Sequence, residues 1–549
     1  MLQVYRFILD LMAHNGYTIR VFFIHIFIFI ETLEPLDRIF DFSLKYFYGS
    51  AWRRSMTKKH TLIALLLAFL TIAPTFASCA GDTKETQPAN DTTADKTDTT
   101  ETTDAVTADI PVLDFGGADF TFGDSDETDH NGAEWATYDV WVDGTTGDAL
   151  NDAVYERRMY LENTYKINMK EVKGHTQVIT EQDVTSGTGE LDAVMTNVLV
   201  SCNLATSGYT RNLYDVPYID LTKSYWDQGC VEDLELLGGV YFANGDITVM
   251  DDDATWVLMF DKGLYEDNGF ENIYEKVKNK DWYMDDMLEM MSTAARDVNG
   301  DGAMLWTDDI FGFTTSYNSC QGLFYASGEK FVYKDESGKP ALTTSLERLT
   351  NVVEKTGKIM ADENLTILVN TIGSYDDMRA MFSEGRALFY GEVLQCVTRL
   401  RDSDADFGLI PWPMFDENQD GYHSFVHKSA GKGICVTAAA KDVDMSGVII
   451  EAMAAKSVDT LTPAYYDIAI TRKAMRDEES VEMLDIILKD RRYDLGYIYN
   501  WGELYEEIRG LIAYGETTVA STWEAYAGAC EAGINETIAA LEKIAATRQ

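Results

Sequence analysis

From Gly81 to Asp109 the chain has no aromatic residue and one large aliphatic, Val106; nearly everything else is Thr, Asp, Glu, Ala, Lys or Gln. Such a stretch cannot bury enough apolar surface to offset the entropy of ordering, so it reads as a solvated stalk. Directly upstream lies a run with the parts of an export signal. Lys58 and Lys59 open it, an apolar stretch follows from Thr61 to Ala73, and small residues close it. The folded body is thereby confined to about 440 residues beyond the stalk, more than one core usually holds, so two or three domains are expected.

Residues 1–55 precede this signal. Their apolar run Val21 to Ile30 is too short to span a bilayer unaided. The reading is that Met56 is the true start and 1–55 an upstream extension translated from a mistaken one; a membrane-associated N-terminal extension is the alternative. Residues 56–78 are then the signal peptide. The small pair Ala77-Ser78 before Cys79 resembles the lipobox of bacterial lipoproteins. That resemblance implies cleavage before Cys79 and lipidation of that residue. The protein would then sit on the extracellular face of the cytoplasmic membrane, held there by lipid alone, with 79–111 as lipidated cysteine and stalk.

Charge narrows the partners. The whole chain has 45 basic against 91 acidic side chains, and beyond residue 78 it keeps 37 and 86, a formal charge of −49. Nucleic acid and anionic membrane surfaces would both be repelled, so neither is an expected partner. Aromatic residues make up 12%, with ten Trp and thirty Tyr, a supply that suits a protein gripping a ligand by ring faces. Beyond Cys79 six cysteines remain, widely spaced, with fifteen possible pairings and no C-x-x-C pair. A structural zinc site is therefore not expected, and buried thiols are the simpler reading.

Apolar strands alternate with helical segments along the body. Leu150 to Tyr165 has helical spacing, Ile167 to Val172 reads as a strand, and Asp192 to Asn197 and Thr255 to Phe260 read as two more. Met284 to Ala295 and Ser446 to Ala455 read as helices, Ala387 to Gly391 as a strand, and Val481 to Ile487 and Thr522 to Ala546 as mainly helical. The alternation argues an α/β class with helices covering the sheets.

Several runs, in this order, are similar to the extracellular solute-binding proteins of carbohydrate ABC importers. Asp251 to Gly269 resembles the passage between lobes. Lys280 to Met287, Asp297 to Gly302 and Ile310 to Phe313 resemble the opening of the second lobe. Phe382 to Tyr390 and Phe407 to Pro413 resemble the return crossing, and Tyr465 to Gly502 a clostridial-type subgroup. The resemblance implies a two-lobe periplasmic-binding-protein-like α/β fold (type II) with a hinge and a ligand cleft. Lobe 1 would be 112–258 plus 391–440, and lobe 2 259–390 plus 441–549. It further implies a monomer that captures a small polar solute, a sugar or oligosaccharide, and hands it to ABC permease subunits. No enzymatic activity and no required cofactor are implied.

Sugar recognition asks for flat aromatic faces flanked by carboxylates that take hydroxyl hydrogen bonds. The candidates are Trp226, Asp251, Asp252 and Trp256 on the first lobe, Tyr390, Glu392 and Trp412 near the return crossing, and Tyr499 and Trp501 in the C-terminal part. Tyr390 and Glu392 share one face if their strand is extended. For each lone ring, core packing is the competing explanation.

One motif points to a metal. Asp297, Asn299, Asp301, Gly302 and Asp308 occupy positions 1, 3, 5, 6 and 12 of a calcium-loop pattern. Calcium would act there as a structural staple; a solvated Asp/Asn/Gly turn is the alternative. Asp308 is shorter than the usual Glu, and no helix is expected after it. A second loop, Asp416 to Gly421, begins alike but meets His427 at position 12 and reads as a plain turn. No G-x-S-x-G, H-E-x-x-H or phosphate-loop motif occurs. Beyond the signal there are four histidines, His130, His175, His423 and His427, poor support for histidine-based catalysis. A surface glycan-binding lipoprotein without a permease and an exported carbohydrate-active enzyme are the competing functions.

Overall fold

The structure is a computed structural model, and it describes residues 108–129, 132–400, 403, 405–466 and 478–548. The expectations for 1–55, for the signal at 56–78, for Cys79 and for the stalk up to residue 107 lie outside the described residues, as does His130.

Two sheets organise the body. The first has the order β9-β3-β1-β2, from β1 (Ala118–Ser125), β2 (Ile167–Gly174), β3 (Ala193–Asn197) and β9 (Lys432–Val436). β1 runs parallel to both neighbours, with Phe122 opposite Glu171 and Ala193, while β9 closes the edge antiparallel to β3, Lys432 opposite Asn197. The second sheet has the order β8-β4-β7-β5-β6. Its strands are β4 (Trp256–Asp261), β5 (Phe311–Thr315), β6 (Thr366–Leu368), β7 (Ala387–Val393) and β8 (Phe407–Ile410). β5, β6 and β7 are parallel; β4 is antiparallel to β7 and β8, so it starts where β7 ends, with Trp256 opposite Val393.

The strands follow from their residues. β4, β5, β7 and β8 are buried along their whole length, so they carry continuous apolar runs instead of alternation. Helix α1 (Ala149–Tyr165) begins where the Asp148 carboxylate accepts from the Leu150 and Asn151 amides and ends at Lys166 in the left-handed conformation. Helix α2 (Tyr375–Ser383) is capped by the Ser374 hydroxyl, which accepts from the Asp377 amide. Helix α3 (Gln395–Leu400) leaves the end of β7 after one residue.

Phe120, Phe122, Met195 and Ile434 of the first sheet share a core with Ile449 and Met453 of helix α4 (Val443–Ser457). Met259, Tyr390 and Phe407 of the second share one with Phe382 and Leu484. Burying each such large side chain contributes about 1.5 to 3 kcal/mol. A further core draws on residues beside both sheets, among them Val198, Cys435, Leu258 and Phe389. The expected lobe boundaries at 258/259 and 390/391 fall inside β4 and β7. All six cysteines beyond Cys79 are free and buried. Among the described residues no helix is long and apolar enough to cross a membrane.

Candidate functional site

Parallel strands deliver their carboxyl ends to one edge of a sheet, and in open α/β folds ligands gather there. Here the end of β1 leads to a 3-10 turn, Gly132–Trp135, and the end of β7 leads to α3. Between them lies a cavity of about 280 Å³, lined among others by Glu134, Trp135, Trp256, Asn318, Tyr375, Arg379, Glu392, Gln395, Cys396, Arg399 and His427.

Two helices each supply a pair of lining residues one turn apart, the spacing that puts side chains on one face. On α2 these are Tyr375 and Arg379; on α3 they are Gln395 and Arg399. Arg399 pairs with Glu134, and the Gln395 amide donates to the Glu134 carbonyl (3.3 Å), so the turn after β1 is tied to the helix after β7.

The floor holds two unsatisfied groups. Glu392 is 8% exposed; its Oε1 accepts from the Val393 amide (3.0 Å), while its Oε2 is buried without a hydrogen-bond partner. Burial pushes its carboxyl up to about 7, against the pull of the Val393 amide and Arg379. Trp256, 2% exposed, likewise leaves its indole Nε1–H buried and unpaired. A buried acceptor and a buried donor in one cavity wall suit a ligand hydroxyl, which is both. The His427 ring lies 6.1 Å from Trp256, and burial lowers its pKa to about 4, so at neutral pH it is uncharged.

Of the residues expected from sequence, the structure therefore brings Trp256 and Glu392 together in this cavity. Tyr390 stands just behind it: its hydroxyl lies 3.2 Å from the Cys396 thiol, and its ring packs on Phe382. The others are elsewhere. Trp226 is 2% exposed and donates to Glu451 (3.2 Å). Asp251 and Asp252 pair with Arg491, at 3.1 and 2.5 Å. Trp412 is 1% exposed, wedged where a Cβ on Gly322 or Gly391 would meet its ring at 2.7 or 2.6 Å. Tyr499 and Trp501 stack on each other at 4.6 Å, and the Trp501 indole donates to Thr537. In each case a ring or carboxylate that could meet a ligand is taken up by the core.

The loop at 297–308 is built of side chain to backbone bonds. Asp297 accepts from the Gly300 and Gly302 amides (2.6 and 2.7 Å), Asn299 from Asp301, and Asp301 from Ala303. Asp308 is exposed and accepts from the Thr307 hydroxyl, whereas the buried Asp309 turns inward to the Val298 and Leu305 amides. Among the described residues no group of three or more His, Cys, Asp or Glu side chains converges as a metal site. At the second loop Asp416 accepts from the Asn418 amide and pairs with Arg348, the arrangement of a turn.

No protein-family model matches the chain, and no curated protein matches it. Solved structures do. A sugar transporter from Rhizobium etli in an open conformation matches at TM-score 0.50 and 14% identity, over 78% of this chain and 99% of its own. The GacH receptor of Streptomyces glaucescens, solved unliganded and with acarbose, matches at 0.47 and 16%, over 78% and 98%. A family 1 extracellular solute-binding protein from Bifidobacterium longum subsp. infantis matches at 0.48 and 14%, over 75% and 100%. The chain has the α/β fold of the Rhizobium etli structure.

Proposed function

We propose that this protein is a lipid-anchored extracellular solute-binding protein that captures a sugar or oligosaccharide in the cavity between the two sheets and delivers it to an ABC permease. The observation that carries the reading is the floor of that cavity. Trp256 and Glu392 present an unpaired donor and an unpaired acceptor there, in a cavity that Trp135 and Tyr375 also line. Leaving such groups buried and unmade costs about 1 to 3 kcal/mol each, and a hydroxyl-bearing ligand repays it. Each sheet is the centre of one lobe, and the pairing of Glu134 with Arg399 of α3 ties the two across the cavity. The reading gives the cavity a binding role and no chemistry of its own. It acts as a monomer, and only its lipidated Cys79 meets the membrane.

Thermal unfolding of the full chain against a panel of mono- and oligosaccharides tests this. A ligand that binds the native state alone at a hundred times its Kd stabilises by about 2.7 kcal/mol, a shift of a few degrees. A rise with one sugar class supports the reading; no rise with any sugar contradicts it. Calcium at the 297–308 loop is a separate proposal, supported by the oxygen side chains at positions 1, 3, 5 and 12 of the loop and decided in the same assay. A rise with calcium that Asp297→Ala abolishes supports it, and no rise ends it.

A further inference from the structure

Strand β5 ends at Thr315, opposite Gly391 and so one residue short of the level of Glu392. It passes into a 3-10 turn, Tyr317–Ser319, whose Asn318 lines the same cavity as Glu392. Among the described residues the Asn318 side chain has one hydrogen-bond partner: Arg509 Nη1 donates to its Oδ1 at 2.7 Å. A guanidinium has donors and no acceptor, so the amide can meet it only with its oxygen. The Nδ2 end is thereby turned away from Arg509, with two N–H groups for which the described residues supply no acceptor.

Arg509 is itself held in place. It lies on helix α5 (Leu504–Tyr514) and pairs through Nη2 with Glu506 of the same helix. Its guanidinium sits 4.4 Å over the Tyr317 ring and 5.8 Å from that of Tyr505. A planar cation gripped by two rings and a carboxylate has little freedom to release the amide it orients. The cavity then offers the Trp256 indole and the Asn318 amide as donors and Glu392 Oε2 as acceptor, none of them used by another side chain. A sugar carries hydroxyls and a ring oxygen, which supply acceptors for the two donors and a donor for the carboxylate.

We propose that Asn318 is a ligand-binding residue of the cavity, donating through Nδ2 to a hydroxyl or ring oxygen of the sugar, and that Arg509 is the positioning residue that turns the amide for this. The proposal rests on the sugar-binding reading above. It adds one residue that reads the ligand and one, on a helix nearly two hundred positions further along the chain, that acts through it.

Calorimetric titration of the full chain with glucose, galactose, mannose and xylose, and with a disaccharide of each, tests it beside thermal unfolding of every variant. Asn318→Asp keeps the size of the side chain and gives Arg509 a carboxylate, but has no Nδ2 to donate. It is expected to bind the sugar about tenfold more weakly while melting at or above the wild-type temperature, a split that loss of structure does not produce. Arg509→Met removes the guanidinium. It is expected to weaken binding by about the same factor on its own and by nothing further in an Asn318→Ala background, because its effect passes through that amide. Asn318→Asp that binds as the wild type does overturns the donor. Arg509→Met that weakens binding equally in both backgrounds overturns the positioning role. Either result leaves sugar capture standing, whereas failure of every sugar on the wild type overturns both the proposal and that reading.

Discussion

Glu392 sits where a carboxylate is expensive. Its folded pKa of about 7 lies above the unfolded value near 4.5, so the neutral form is favoured by folding. The stability this gives is complete below about pH 4.5 and is lost as pH rises through about 7. Glutamine keeps the shape and cannot ionise. Glu392→Gln should therefore gain on the wild type by about 2 kcal/mol between pH 5 and pH 8, whatever its offset at either pH. Urea unfolding at the two pH values measures this, and an unchanged gap would show Glu392 to be solvated. Sequence marked Glu392 and Trp256 because both stand at strand ends near a crossing. It did not mark Glu134, Trp135, Tyr375, Arg379, Gln395, Arg399 or His427, which come from separate segments whose meeting is long-range. The local trace was present in part, as the (i, i+4) pairs Tyr375/Arg379 and Gln395/Arg399 beside the marked strand. Nothing in a lone Trp or Tyr separates a ligand platform from a core ring, which is why Trp226, Trp412 and Trp501 were named beside Trp256.

At the scale of elements, the passage between the sheets is held by one buried cation. Arg491, in a two-residue strand paired with Ser424–Phe425, meets Asp227 at 2.9 Å as well as Asp251 and Asp252 of the short helix Met250–Asp253 just before β4. Burial works against its charge, yet the three carboxylates hold its pKa well above the ordinary value. Arg491→Ala would strand those carboxylates without a counter-charge and should destabilise by about 3 to 5 kcal/mol, seen as a lowered urea midpoint. A change under 1 kcal/mol would mean that water replaces the guanidinium. Periodicity and strand composition read the elements well: the helix expected at Leu150 to Tyr165 is Ala149–Tyr165, and the strand expected at Thr255 to Phe260 is Trp256–Asp261. Boundaries set by tertiary contact were less legible. β7 runs on to Val393 because β4 pairs with it that far. Asp251 and Asp252 could not be told from ligand carboxylates, because their partner lies some 240 residues away.

Over the whole molecule the acid excess is a burden on folding, since like charges repel in the compact state and salt screens them. With a formal charge of −46, the melting temperature should rise by several degrees from 10 to 200 mM sodium chloride. A flat response would mean that the charges are spread too widely to matter. The α/β class was legible from alternation alone, and the structure has it. What alternation could not supply is the meeting of the turn after β1, the ends of β4 and β7 and helices α2 and α3 at one cavity, since that depends on packing between segments far apart in the chain. The central claim is that this cavity, with Trp256 and Glu392 at its floor, holds the ligand. Calorimetric titration of the stabilising sugar into the wild type, Trp256→Ala and Glu392→Ala tests it most directly. The account predicts saturable one-to-one binding to the wild type and at least a tenfold loss of affinity in both variants. Unchanged affinity in two folded variants would place the ligand elsewhere and contradict it.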